Sequence, residues 1–409
     1  MLHQYEKAIV SINSDQDVSC EFFEDLVVTD EGEEEIYVGR TLLNRFILVP
    51  RIAGEIIREI KSGKSIAQVS SLLDKNKIEV DLKDFLTNLI HLNFIKRVGT
   101  IDLPSEEIPK SEGITFRFIK QKYVKWIFTI PTGIAYLIFV SVSLFLLISG
   151  RTGSPIPTFD EVFWSKSLLK VVLSLIILDV IFSSCHELFH FLSIRAISGG
   201  LGFMSLGRRL THLVFQTKIE NIWVIPRKKR YIIYLSGMLF DLFLISIFTY
   251  VAYFQVGEQN LIYHLSRFLI LLLIMGMIFE FRFYMKTDLY YVISDLLKYP
   301  TLFEESLEIV KSMLTFSRIK GNYLKKVWVY SLFMFLGSII DIWITIKYFI
   351  PSVLSVYSNI TDSFVSGNTG EIIANILTIS LIGVEALFVI YFFLRDKYKQ
   401  KKQRLVNLK

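Results

Sequence analysis

Apolar residues are distributed in two different ways along this chain, and the change falls near residue 112. Before it they recur singly and in pairs among charged residues, the pattern of elements with one buried face. VSCEFFEDLVV and EEIYVG predict two strands flanking an acidic Thr-Asp-Glu-Gly turn. Arg51 to Lys61 predicts a helix ending near Gly63. Ser65 is placed to cap a second helix, SIAQVSSLLDK, and Asp81 a third, LKDFLTNLIHLN. In the third, Leu82, Phe85, Leu86 and Leu89 share one stripe. FIKRV reads as a short closing strand. The expectation is a small soluble α+β domain, winged-helix-like, over residues 1–112. Residues 100–120, with Pro104 and Pro109, read as its linker.

After that point the apolar residues run together. Six stretches stand out, near 125–148, 168–194, 231–254, 263–284, 327–350 and 372–394. Each suffices to cross a bilayer, which takes about 20 helical residues. The expected fold is therefore a multi-pass α-helical membrane protein, with about six transmembrane helices in residues 113–409, carrying the soluble domain at its N-terminus. Charge tests this independently. Arg195, Arg208, Arg209, Lys218, Arg227, Lys228, Lys229 and Arg230 crowd the segment between the second and third stretches. Segment 286–326 and the tail RDKYKQKKQRLVNLK are also basic, whereas 255–262 and 351–370 hold no Lys or Arg. The positive-inside rule then puts both termini in the cytoplasm of a cell-membrane protein.

Composition agrees with that reading. The 409 residues are 52% hydrophobic, with 34 Phe and 19 Tyr, high for a soluble protein and suited to lipid-facing and interfacial surfaces. The net charge of +6 comes from clusters beside apolar runs, so it reports topology; no nucleic-acid recognition motif accompanies it. Cys20 and Cys185 lie in dissimilar surroundings, which argues against a disulfide and for a reducing compartment. The N-terminus MLHQYEKAIVSINSDQD lacks an apolar signal core.

One constellation carries chemistry. Residues 184–191 read Ser-Cys-His-Glu-Leu-Phe-His-Phe, an H-E-x-x-H motif at the end of the apolar run VVLSLIILDVIFSSC. His186 and His190 are one turn apart and share a helix face, so both imidazoles can reach one Zn²⁺. Glu187 is placed to take a proton from water activated by the metal. Three ionisable side chains within one turn of a membrane helix are costly and point to function. A catalytic zinc wants a third protein ligand. Asp288, in FRFYMKTDLYYVISDLLKYPTL at the cytoplasmic end of the fourth stretch, is the leading candidate; Asp295, Asp241 and Glu280 are the alternatives. Asp241, in YLSGMLFDLF, and Asp179 are candidates to support the ligands without touching the ion. Asp179 precedes His186 by two turns, ~10 Å along the helix. Cys185 lies about 100° around the helix from His186, and His91, His212 and His264 are isolated.

These residues resemble the site-two protease family of intramembrane zinc metalloproteases, over roughly residues 165–305. The resemblance implies that Glu187 is the catalytic base and that His186, His190 and Asp288 hold the zinc. The family's second motif, N-x-x-P-x-x-x-L-D-G, is only partly kept. Glu280 stands where Asn is expected, Phe283 where Pro is, and Leu289 where Gly follows the Asp. TDLYYVISDLLKYPTL and SGMLFD are closer to a divergent branch. Residues 1–112 resemble a PqqD-like peptide-recognition domain, which implies capture of a leader peptide by strand addition to a sheet edge. The function implied is hydrolysis of peptide bonds in a ribosomally made precursor peptide. Two alternatives are regulated intramembrane proteolysis of a membrane signalling protein and a non-catalytic role in immunity or transport.

Overall fold

The computed structural model of the chain describes all residues except 1, 14–16, 31–33, 109–112, 154–156, 163, 166, 201, 210–211, 259, 319–320, 322, 345, 348–349, 351–353, 355–360, 362–368 and 408–409. It divides into two units. The first is Met1–Glu112 together with Ile219–Arg230, and the second is Gly113–Lys218 with Tyr231–Lys409.

The first unit opens on a helix beyond those expected, α1 (Leu2–Asn13). Its signal is there: Ala8 and Ile12, one turn apart, are both buried. Strands β1 (Cys20–Phe22), β2 (Leu26–Asp30), β3 (Glu35–Arg40) and β4 (Arg45–Pro50) follow. Helices α2 (Arg51–Lys61), α3 (Ile66–Lys75) and α4 (Leu82–His91) come next, then β5 (Ile95–Val98) and β6 (Ile101–Asp102). The strands make two antiparallel sheets, in orders β1-β5-β6 and β2-β3-β4. VSCEFFEDLVV is thus two strands in different sheets, because Phe23 to Asp25 turn the chain between them.

Both expected caps form. Ser65 and Gln68 cap each other across the first turn of α3, at 3.0 and 3.3 Å. The Asp81 carboxylate accepts from the Asp84 amide at 2.9 Å to start α4. One core joins both sheets to the helices through Ile36, Val38, Ile56, Ile57, Leu86 and Phe94. Gly54 lets α2 lie against β3, since a Cβ there would stand 1.8 Å from Ile36 Cδ1. The buried Arg40 is fully engaged, by Asp25 at 3.0 Å, by the Asn93 side chain at 2.7 Å and by the Phe23 ring beneath its guanidinium. The late segment Ile219–Arg230 belongs to this unit through stacking of Trp223 on Tyr37 at 4.6 Å, with Arg230 packed over both rings.

The second unit is helical. After a short α5 (Gln121–Val124) come α6 (Ile130–Ile148), α7 (Leu168–Ser198), α8 (Arg227–Gln255) and α9 (Leu261–Glu280). Two shorter helices, α10 (Asp288–Leu296) and α11 (Leu302–Leu314), precede α12 (Lys325–Ile344) and α13 (Thr369–Asn407). Among the described residues, five helices are long and apolar enough to cross a membrane: α6, α7, α8, α9 and α12. The sixth expected stretch, 372–394, falls within α13, where the described apolar run is Ile372–Leu381. Most of the uncharged loop 351–370 lies outside the described residues. The basic segment after α7, expected as a loop, contains a hairpin, β7 (Gly202–Arg209) and β8 (His212–Ile219).

Polar side chains tie the long helices together inside apolar surroundings. Ser143 on α6 donates to Ser246 on α8 at 2.7 Å, and Tyr250 donates to the Phe139 carbonyl at 2.8 Å. On α9 the buried Arg267 makes a paired contact with Glu161, with nitrogen–oxygen distances of 3.0 to 3.2 Å. Each group would be costly to leave unpaired where water is excluded.

Candidate metal centre

Three helices contribute to one buried cluster. α7 supplies His186 and His190, whose spacing of four puts both rings on one face. α8 passes close enough to touch them because position 237 is glycine. A Cβ there would stand 2.3 Å from His186 Nε2. Phe189 and Phe240 stack at 4.0 Å between centroids beside the same crossing. α10 begins at Asp288, whose carboxylate meets both rings. His186, Glu187, His190, Asp241 and Asp288 are all less than a tenth exposed.

Each imidazole is held at its outer nitrogen by an acceptor. His186 Nδ1 lies 2.6 Å from Asp241 Oδ2, and His190 Nδ1 lies 2.7 Å from the Ile233 carbonyl. Neither acceptor has a proton to give in its ordinary state, so both Nδ1 atoms carry the hydrogen. In neutral rings the lone pairs are then left on Nε2. Those two Nε2 atoms are 3.2 Å apart, and Asp288 Oδ2 lies 3.0 Å from one and 2.8 Å from the other. Three such atoms aimed at one point repel unless a proton or a metal ion lies among them. A tetrahedral zinc with bonds of ~2.0–2.1 Å sets its ligands about 3.3 Å apart, so the observed triangle fits after opening by a few tenths of an ångström. The donor set, two neutral imidazoles and one carboxylate, also suits zinc chemically.

Glu187 is the next residue on α7. Ligand-type atoms of His186, Glu187 and His190 all lie within 4.8 Å of one another, and so do those of His186, Glu280 and Asp288. The Glu187 backbone carbonyl accepts a hydrogen bond from Thr217 on β8 at 2.8 Å.

Comparison with protein-family models, curated proteins and solved structures finds no match.

The cluster thus rests on what the chain itself brings together. Of the residues singled out from the sequence, His186, Glu187, His190 and Asp288 converge, and Asp241 sits behind His186. Glu280 also approaches, and its carboxylate accepts from the Asp288 amide at 2.9 Å. Asp179 is exposed on α7, two turns from His186, and Asp295 is buried on α10; neither is among the converging groups. His91 and His264 are exposed elsewhere, and the side chain of His212 lies outside the described residues. Sequence reasoning missed the Ile233 carbonyl, a backbone acceptor that residue type cannot announce. It also missed that Ser236 Oγ lies 3.2 Å from His190 Nδ1 while donating to that same carbonyl at 2.9 Å. The small-residue pair Ser236-Gly237 was the available signal for a close crossing.

Proposed function

We propose that this chain is a membrane-embedded zinc metalloprotease that hydrolyses peptide bonds, with His186, His190 and Asp288 holding the metal and Glu187 as the catalytic base. One observation carries the reading: the Nε2 atoms of His186 and His190 and one Asp288 carboxylate oxygen meet within 3.2 Å, with both Nδ1 atoms already facing acceptors. Two imidazoles and a carboxylate with an open fourth position are the donors of catalytic rather than structural zinc.

When bound, the ion supplies Lewis acidity and brings the pKa of a coordinated water to about 7. The remaining chemistry belongs to the side chains. Glu187 accepts a proton from the attacking water as its oxygen bonds to the scissile carbonyl carbon. The same carboxyl returns that proton to the departing amine nitrogen as the C–N bond breaks. Asp241 and the Ile233 carbonyl hold each imidazole in the tautomer that presents Nε2. Burial of the cluster limits competing water.

Surface chemistry supports membrane insertion. α6 turns Ile130, Leu137, Ile138 and Phe145 outward, more than half exposed in each case. Such a face is unfavourable in water and ordinary in lipid. With the basic segments in the cytoplasm, α7 runs inward and the metal cluster lies in its cytoplasmic half.

The substrate favoured is a ribosomally made precursor peptide, delivered by the N-terminal unit. That unit's β2-β3-β4 sheet ends on strand edges suited to adding a peptide strand. Capture by a unit on the same chain raises the local substrate concentration.

The test is metal content and cleavage measured side by side on detergent-purified protein. Wild type is expected to hold about one zinc per chain, and His186→Ala or His190→Ala to hold almost none. Glu187→Gln is expected to keep the zinc and lose at least 10²-fold in rate, the scale of general-base catalysis. Cleavage by Glu187→Gln at the wild-type rate would remove the assignment.

A further inference from the structure

Glu280 is misplaced by the rules of its own helix. It is the last residue of α9, where the helix dipole is negative and a carboxylate is unfavourable. Its partner explains the placement. The turn after α9 brings back the first residue of α10, and Glu280 Oε2 accepts from the Asp288 backbone amide at 2.9 Å. A free N–H at a helix start is where an anion is favoured.

The helix's own N-cap residue does not fill this role. Thr287 makes no side-chain cap to α10. Its hydroxyl donates backwards, to the Glu280 carbonyl at 2.6 Å. Residue 280 and the pair 287–288 therefore grip each other twice: side chain to backbone in one direction, and side chain to backbone in the other. The loop between them includes Lys286 in the left-handed region at φ 60°, a conformation that costs free energy in a non-glycine residue and needs support.

We infer that Glu280 is the positioning residue of the metal centre, stapling the end of α9 to the start of α10 so that Asp288 presents its Oδ2 between the two histidines. This rests on the metal-centre reading and assigns Glu280 a part distinct from ligation. Its function in this geometry is to accept a hydrogen bond. An amide oxygen at the same position does so too; a methyl group does not.

Cobalt titration of the detergent-purified full chain, read by visible absorption, tests the assignment without any substrate. Wild type takes up one Co²⁺, and His186→Ala does not. Glu280→Ala binds about 10–100-fold more weakly, with an altered band shape, the usual loss when the support of a ligand is removed. Glu280→Gln stays within about threefold of wild type, because its Oε1 replaces the acceptor. Thr287→Val, which removes only the returning bond, falls between them and decides the matter if Glu280→Ala does not fold, as judged by circular dichroism.

The outcomes separate cleanly. Unchanged affinity in both Glu280→Ala and Thr287→Val overturns the staple. Equal loss in Glu280→Gln and Glu280→Ala overturns it in favour of Glu280 as a ligand through its charge. Absence of Co²⁺ binding by the wild type overturns the metal-centre reading itself, and the staple with it.

Discussion

At the scale of single residues, Gly237 sets the distance between α7 and α8. The ring it faces is His186, pinned on its far side by Asp241 at 2.6 Å. A methyl group at 237 leaves the ring no nearby position that keeps that bond. Gly237→Ala is expected to lower metal affinity at least tenfold, the scale of losing a ligand's supporting contact, measured as metal retained after dialysis against a chelator. Cys20 makes a different point. Burial in the first unit's core pushes its thiol up to about 12. The thiolate is the reactive form, so maleimide is expected to label Cys20 at least 100-fold more slowly in the folded protein than after denaturation. Linkage fixes the sign of its pH effect. The folded state favours the neutral thiol, so Cys20's contribution is whole below the ordinary thiol pKa of about 8.5. It is lost progressively as pH rises from there towards 12. Unfolding of the first unit at pH 7 and pH 10 checks this, with Cys20→Ala flattening the difference.

At the scale of elements, α3 begins on a reciprocal cap between Ser65 and Gln68. Ser65→Ala removes the acceptor for one amide and is expected to cost about 1 kcal/mol of the first unit's stability, read as a lower denaturation midpoint with unchanged slope. The helices of this unit were legible because their start signals are local: Ser65 and Asp81 each stand one residue before the first buried apolar position. α1 buries Ala8 and Ile12 on one face, but Met1 in front of it is not a capping residue type, so its start carries no such local signal. The β7–β8 hairpin was illegible for another reason. Its Arg and Lys residues announce a membrane-flanking loop, and that signal is indifferent to whether the loop is paired. The long helices were the plainest elements, because a run of some 20 apolar residues has few other solutions in lipid.

At the scale of the whole molecule, the centre depends on groups more than fifty residues apart. His186 meets Asp241 and Asp288 only because α7, α8 and α10 pack side by side. Asp241→Asn tests that dependence. The amide replaces the charged acceptor behind His186, and about 10–100-fold weaker metal binding is expected, with the fold unchanged by circular dichroism.

The sequence alone determined where five of the long apolar helices run, that His186 and His190 share a face, and that a carboxylate follows the first of them. These are consequences of local periodicity and spacing, which the chain carries within a few turns. It put Asp288 first for the third converging donor but left Asp295, Asp241 and Glu280 open beside it, because their distances from the histidines depend on how separate helices pack. Tertiary structure brought Asp288 to both Nε2 atoms, set Asp241 behind His186, turned the Ile233 carbonyl to His190, and gave Glu280 a backbone amide to hold. None of these is a property of residue type; each is a distance fixed by close packing of buried polar groups that cannot be left without partners.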